Sequence, residues 1–123
     1  MTRGRAALSL ACAAALALVA GAQATTQPGV LFVSRLVITD RAILIRGDRF
    51  MTPAAIPRYP RGTDVRYEVS NRGTRAISLN ILGSVTGRLA PGRKASILVY
   101  WSHRGKFVFR ARPNGPHVRM WVD

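Results

Sequence analysis

Residues 105–120, GKFVFRARPNGPHVRM, contain two candidate β-strands and the loop that joins them. Phe107 and Phe109 alternate with residues that are charged or smaller, so an extended chain places both rings on one face. The Pro-Asn-Gly-Pro segment at 113–116 is a turn signal, because proline and asparagine-glycine pairs interrupt a strand. Val118 and Met120 then resume the alternation. The stretch therefore predicts two strands of a β-sheet with a short loop between them.

The same period of two recurs along the rest of the chain and predicts an all-β fold. Residues 30–39 and 42–46 are candidate strands, and the proline-rich residues 51–62 predict an extended connection or an edge strand. Short turn signals separate the segments, and no window after the N-terminal region has helical periodicity. We therefore expect a single Greek-key β-sandwich of about seven or eight strands. The inward-facing positions of its alternating segments are Val65, Tyr67, Val69, Ile77, Leu79, Ile81, Val118, Met120 and Val122.

The N-terminal region has the pattern of a signal peptide. Arg3 and Arg5 precede an apolar run at 6–20, and Ala22-Gln23-Ala24 supplies a small-residue cleavage signal. A run of roughly 15 apolar residues is short for a transmembrane helix, which needs about 20. We therefore expect a signal peptide at 1–24, a flexible leader at 25–29 and one domain at 30–123. The chain is predicted to be exported, periplasmic or secreted, with no membrane span after cleavage.

Cleavage changes the chemistry that the chain offers. It removes Cys12, the single cysteine, so the mature chain has no thiolate and no disulfide. It also removes two of the 19 basic residues, so that 99 of 123 residues remain with 17 basic and 5 acidic side chains, a formal charge of +12. In an exported protein this excess favours an acidic protein face or an anionic envelope component as partner, rather than nucleic acid. The other interpretation is that scattered arginines keep the domain soluble.

No catalytic motif is present in the sequence. It contains no Gly-x-Ser-x-Gly, His-Glu-x-x-His or phosphate-binding loop. The acidic residues form no motif with the histidines or serines, and we expect three of them to pair with neighbouring arginines: Asp40 with Arg41, Asp48 with Arg49, and Glu68 with Arg66. We therefore expect no catalytic residues, and the chain is predicted not to be an enzyme.

Five segments follow one another along the chain: DRFMTP at 48–53, RGTDV at 61–65, NRGT at 71–74, LAPG at 89–92 and GKFVF at 105–109. Their order resembles that of similar segments in the cupredoxins, a family of small copper-carrying β-sandwiches. From about residue 48 onward the resemblance covers roughly three quarters of the mature sequence.

The resemblance implies a type 1 copper site, which takes two histidines, one cysteine thiolate and a weak axial methionine. The first histidine falls on Ile77 and the cysteine on Ala111, which are both hydrocarbon. The second histidine falls near Gly115, with His117 two residues later, while Met120 lies about where the axial ligand is expected. Parity places Ile77 and Ala111 toward the core. We therefore expect a pocket filled with hydrocarbon, no metal ligand and no cofactor.

Three hypotheses follow for the function. The leading one is an exported cupredoxin-like binding or interaction module without a functional type 1 copper site. The alternative is a copper-binding or electron-transfer protein that uses His117 and Met120 in an atypical or partner-completed site, which would need His103 or Met51 to approach. The second alternative is a basic envelope-associated protein that binds anionic surfaces.

A docking surface is the site expected for the leading hypothesis. Two aromatic side chains alternate out of phase with the inward residues, and arginines flank them, which suits an anionic partner. The other interpretation is that the aromatic rings cover the outer sheet. The candidate residues are Tyr100, Trp121, Arg104, Arg112 and Arg119.

Overall fold

The computed structural model describes residues 30–123. The expected signal peptide, the leader and Cys12 lie outside the described residues. Within residues 30–123 the chain forms strands, turns and loops. No helix in this part of the chain is long and apolar enough to cross a bilayer.

The described chain contains nine strands, which confirms the all-β prediction. Three of them have only two residues and six are longer, where seven or eight strands were expected. The strands are β1 (Leu31–Ile38), β2 (Ile43–Arg46), β3 (Arg58–Tyr59), β4 (Thr63–Asn71), β5 (Asn80–Ile81), β6 (Ser84–Val85), β7 (Lys94–Trp101), β8 (Gly105–Arg110) and β9 (His117–Val122).

The strands form a four-stranded sheet of order β2-β1-β4-β7 and a three-stranded sheet of order β3-β9-β8, with β5 and β6 as a small hairpin. β1 and β4 are parallel neighbours, and so are β3 and β9, while the other pairs are antiparallel. The chain passes from the four-stranded sheet to the three-stranded sheet and back before β4. These crossings give the Greek-key order of a sandwich.

One hydrophobic cluster lies between the two sheets. Because side chains alternate along each strand, the inward half of each sheet meets the inward half of the other. All nine positions that alternation places inward are buried, and Phe107 and Phe109 are half-buried against the same cluster. The largest of its fully buried side chains are Trp101, Tyr59, Tyr67, Leu36 and Ile38.

Two segments depart from regular strands. In residues 51–62 backbone pairing is limited to the bridge between Met51 and Pro57 and to β3. β3 lies at the edge of its sheet, as the prediction of an extended connection or an edge strand allows. Around Ile77 the alternation is kept but the strand is interrupted. Ile77 bridges Leu89, whereas Ser78 bridges Arg112, so the two neighbours have partners on different segments and no continuous ladder forms.

Candidate functional site

The positions of Ile77 and Ala111 lie on neighbouring segments in the core. Ser78 and Arg112 exchange two backbone hydrogen bonds of 2.8 Å, so the segments on which Ile77 and Ala111 stand run side by side. Ile77 is 5% exposed and Ala111 is 0% exposed. The structure therefore places both predicted positions in the same buried cluster, to which both side chains contribute hydrocarbon.

The loop after Ala111 closes tightly on that residue. The Ala111 amide donates to the Pro116 carbonyl at 2.9 Å, and the Ala111 carbonyl accepts from the Gly115 amide at 2.8 Å. Gly115 is buried. A Cβ atom on Gly115 would lie 2.8 Å from the carbonyl oxygen of Ala111 and 2.9 Å from its Cβ. The loop therefore has no room for a side chain at 115 in its present conformation.

The Gly115→Ala substitution is expected to lower the free energy of unfolding by about 1–3 kcal/mol, because the added methyl group forces the loop away from Ala111. Ala111→Gly removes one of the two close contacts, so a double-mutant cycle with both substitutions should show coupling. Urea unfolding measures all four proteins. Unchanged stability of Gly115→Ala would contradict the close packing of this loop.

His117 and Met120 point to opposite faces of β9. Met120 is fully buried between the sheets, whereas His117 is exposed. His103 lies in the turn before β8 and hydrogen-bonds Ser102 Oγ through Nδ1 at 2.9 Å, at the far end of β8 from His117. The structure therefore does not bring His117 together with either Met120 or His103.

A surface cleft of about 480 Å³ does contain His117 and Met51 together. Arg46 and Arg119 line the same cleft, and both guanidinium groups repel a metal cation. Within residues 30–123 no group of three or more histidine, cysteine, aspartate or glutamate side chains is placed to hold a metal ion. Met51 and His117 thus line one cleft in an electrostatically unfavourable setting for a metal ion.

The outer face of the three-stranded sheet is rich in cations. Alternation points Lys106 and Arg110 of β8 outward, together with Arg119 and Trp121 of β9. Trp121 stands between Arg58 of β3 and Lys106 of β8 in register. We name this surface the basic face, and its cations are Arg58, Arg104, Lys106, Arg110, Arg112 and Arg119.

Trp121 lies at the end of the basic face where β8 begins. The Lys106 ammonium nitrogen lies 5.6 Å from the centroid of its ring, a cation–π distance. A cleft of about 700 Å³ opens beside the ring and is lined also by Arg58, Arg104 and Asp123. The half-buried indole therefore stands in an open, positively charged cleft.

The acidic residues leave most of the basic face uncompensated. Asp123 is the only one of the five acids of the sequence on this face, and the Arg58 guanidinium donates to both of its oxygens at 2.8 and 2.9 Å. The other four lie elsewhere, on or beside the four-stranded sheet and the loop before β3. Among residues 30–123 no salt bridge reaches the five remaining cations of the face: Arg104, Lys106, Arg110, Arg112 and Arg119.

The expected docking residues fall into two groups. Trp121, Arg104 and Arg119 lie on the basic face, and Arg112 continues its outward row at the loop end of β8. Tyr100 is separate from them, because it lies on β7, opposite Asp64, and is exposed on the outer face of the four-stranded sheet.

Three cations of the basic face, Arg58, Lys106 and Arg110, are absent from the residues expected from the sequence. Lys106 and Arg110 could have been found, because alternation against Phe107 and Phe109 places both outward. Arg58 could not, since its position beside Trp121 depends on a pairing between segments more than sixty residues apart.

The fold is shared with solved copper proteins. A multicopper oxidase superposes with a TM-score of 0.60 over 82% of this chain and 45% of its own, at 14% identity. Copper nitrite reductase from Nitrosomonas europaea gives 0.53 over 77% and 41%, at 16% identity. A multicopper oxidase from the hyperthermophile Aquifex aeolicus gives 0.55 over 84% and 30%, at 11% identity. The fold is cupredoxin-like.

The likeness extends to the fold alone at these identities. The chain spans less than half the length of each of these three structures. Comparison with protein-family profiles and with curated protein sequences finds no match.

The residues at the positions where the resemblance implies copper ligands do not fit a type 1 copper ion. Such a site needs a thiolate, two imidazoles and an axial thioether that converge on one point. Ile77 and Ala111 have no donor atom, and the loop closes over Gly115 without space for an imidazole. Met120 supplies a thioether into the core without a nitrogen or thiolate donor at the positions beside it.

The cupredoxin-like core contains a polar chain that ends on a carboxylate. The Trp101 indole N–H donates to Tyr67 Oη at 3.2 Å, Tyr67 donates to Tyr59 Oη at 2.7 Å, and Tyr59 donates to the Asp48 carboxylate at 2.5 Å. The other Asp48 oxygen accepts from the Phe50 amide at 2.8 Å. The hydroxyls of Tyr59 and Tyr67 and the indole N–H of Trp101 therefore all have hydrogen-bond partners, although the three aromatic side chains are fully buried.

Burial controls the ionisation of both tyrosines. It raises the pKa of Tyr59 well above the usual range, and the neighbouring Tyr67 and Asp48 raise it further. Burial also raises the pKa of Tyr67, although hydrogen bonds with Tyr59 and Trp101 oppose that rise. Both phenols are neutral donors at physiological pH.

The pairing expected for the acidic residues is right for one of three. Arg66 Nε lies 3.3 Å from Glu68 Oε2 on the solvent side of β4. Asp48 binds Tyr59 rather than Arg49, whose guanidinium carbon lies 5.6 Å from the centroid of the Phe32 ring. Asp40 accepts from the Thr74 amide and hydroxyl, both at 2.8 Å, rather than from Arg41, and these bonds lower its pKa.

Proposed function

We propose that this chain is an exported interaction module that acts without a type 1 copper ion and without catalysis, and that its basic face binds an anionic partner. The observation that carries the proposal is the set of five cations without salt bridges in the described chain, which share the basic face with the half-buried ring of Trp121. Cations without acidic neighbours can bind external anions, and an adjacent aromatic ring adds contact area. Arg110 keeps further N–H donors for this purpose, although its Nη1 donates to the Gly115 carbonyl at 2.9 Å.

The second half of the proposal, the absence of a type 1 site, rests on packing. Ile77, Ala111 and Gly115 fill the positions where the resemblance implies ligands, and each is buried. A vacant polar pocket would leave donors or acceptors unpaired at about 1–3 kcal/mol each, whereas hydrocarbon contributes to the core. The likeness to copper oxidases and a copper reductase supports the fold of the module and not their chemistry.

Binding to immobilised polyglutamate tests the basic face. Retention should fall steeply as salt rises from about 0.01 M to 0.15 M, because the Debye length shrinks from about 30 Å to about 8 Å. The triple variant Arg104→Gln, Lys106→Gln, Arg119→Gln should lose most of the retention. The matched control Arg35→Gln, Arg72→Gln, Lys94→Gln removes the same charge from the groove on the four-stranded sheet. Equal loss in both variants would contradict a role for the basic face.

Copper titration tests the absence of a type 1 site. Addition of copper(I) and of copper(II) to the mature chain should give no intense blue absorption and no tight stoichiometric binding, because no thiolate is present there to form the copper–sulfur bond. His117→Ala and Met51→Ala identify any weak binding in their shared cleft. A submicromolar site that His117→Ala abolishes would overturn this part of the proposal.

A further inference from the structure

We infer that the anionic partner is the phosphate-bearing surface of a lipid bilayer, on which the basic face lies flat with Trp121 at the level of the headgroups. This inference rests on the proposed function and specifies its partner. It commits to phospholipid; an acidic protein surface is an outcome of the test below.

The shape of the face fits an extended planar surface. Four of its six cations, Arg58, Lys106, Arg110 and Arg119, are outward residues of three adjacent strands, which are spaced about 4.8 Å apart. Arg104 and Arg112 lie just before and just after β8. Along the outward row from Lys106 to Arg112 the face extends about 20 Å. A bilayer presents mobile phosphates everywhere along such a face, so every cation finds a partner. An acidic protein would need fixed carboxylates that match all of these positions.

The side-chain types of the face also fit phosphate. Lys106 is the only lysine among its six cations, and the others are arginines. A guanidinium group binds phosphate oxygens through two parallel hydrogen bonds and loses less hydration than an ammonium group does. The sheet therefore presents the cation that is best suited to a phosphate layer.

Two apolar side chains stand among these cations. The Trp121 ring is half-buried beside the cleft, and Val108, between Lys106 and Arg110, is 60% exposed. Tryptophan prefers the interface between headgroups and acyl chains, because its indole is apolar except for one N–H donor. The exposed Val108, which pairs with Arg119, adds apolar contact to the same surface. Charge and apolar contact therefore act at one place, as they do in other proteins that lie on a bilayer.

Vesicle binding is the first test. The mature chain should sediment with vesicles of phosphatidylglycerol and phosphatidylcholine and remain in solution with vesicles of phosphatidylcholine alone. Each cation near an anionic bilayer contributes about 1 kcal/mol, or about fivefold in partition, so the triple variant Arg104→Gln, Lys106→Gln, Arg119→Gln should bind about a hundredfold more weakly. The control Arg35→Gln, Arg72→Gln, Lys94→Gln should retain most of the binding, since its residues lie on the other sheet.

Tryptophan quenching is the second test and needs no charge variant. The chain contains two tryptophans, and Trp101 is 0% exposed, so a quencher outside the core reports on Trp121. Brominated phosphatidylcholine in the anionic vesicles should quench part of the emission, and vesicles should protect the same part from acrylamide. Trp121→Phe should remove both effects while the circular dichroism spectrum stays the same.

The outcomes separate this inference from the proposed function. Binding to polyglutamate without binding to anionic vesicles would overturn the inference of a lipid partner, and the proposed interaction with an anionic partner would still stand. Failure to bind either one would overturn both. Vesicle binding that both triple variants weaken equally, or that leaves Trp121 unquenched, would overturn the orientation on the basic face.

Discussion

Replacement of Trp101 by alanine is expected to lower the free energy of unfolding by about 3–5 kcal/mol, the largest effect of any single substitution in the core. The indole is fully buried and stacks on Tyr59 with a centroid distance of 5.4 Å. It also lies 5.6 Å from the Phe107 ring and 6.0 Å from the Phe109 ring. Its removal leaves a cavity among these rings and takes the only indole donor from Tyr67. Domains of this size are stable by about 5–15 kcal/mol, so the variant is near the threshold of folding.

Urea unfolding followed by circular dichroism measures this loss, since the substitution removes a fluorophore. Trp101→Phe keeps most of the ring contacts and loses the N–H donor. Its free energy of unfolding should therefore lie between that of the unsubstituted protein and that of Trp101→Ala. Trp121→Ala is the matched control, because that ring is only half-buried at the surface of the other sheet. Similar losses for Trp101→Ala and Trp121→Ala would contradict the central position of Trp101.

Alternation correctly predicted burial at every position that it placed inward, although the large core residues Trp101, Tyr59 and Leu36 were not among those positions. A strand has only two faces, so the pattern Val65, Tyr67, Val69 determines burial once one face is covered. The same rule placed Ile77 and Ala111 inward, and the structure finds both buried on adjacent segments. Positions that depend only on parity along one strand were therefore accessible from the sequence.

Features that depend on pairing between distant segments were not accessible in this way. Asp48 precedes Arg49 in sequence, and neighbouring charges suggested an ion pair. In the structure the parallel pairing of β3 with β9 brings Tyr59 into the core beside Asp48, and its phenol takes the carboxylate as acceptor. The same pairing places Arg58 beside Trp121. One two-residue edge strand thus determines both the polar chain and one side of the basic face.

β8 and β9 contribute both to the hydrocarbon packing in the core and to the basic face. Inward residues of these strands, with the loop between them, fill the region where the resemblance implies copper ligands, and outward residues form the basic face. Since inward and outward positions alternate, hydrocarbon packing at Ala111 and Met120 imposes no limit on Lys106, Arg110 or Arg119. The sandwich can therefore serve as a rigid support for a binding surface without a metal ion inside it.

Alkaline pH is expected to destabilise the folded chain strongly through its two buried tyrosines. An unfolded tyrosine releases its proton near pH 10, whereas burial raises the pKa of Tyr59 and Tyr67 so that both stay protonated. Above about pH 10 the unfolded chain therefore binds fewer protons than the folded chain, and the free energy of unfolding falls as pH rises. The stability is fully present below that pH. Each buried phenol contributes a loss of about 1.4 kcal/mol per pH unit, or about 2.7 for the pair.

Urea unfolding at a series of pH values from about 9 to 12 measures this slope. Tyr67→Phe should roughly halve it, since one of the two retained protons is gone, even though the variant begins from lower stability at neutral pH. Tyr100→Phe is the control, because it removes a hydroxyl that is exposed on the four-stranded sheet. The slope and not the starting stability is diagnostic, because each hydroxyl also contributes hydrogen bonds. A stability that stays constant through this range would show that the phenols reach water, which is incompatible with a closed chain from Trp101 to Asp48.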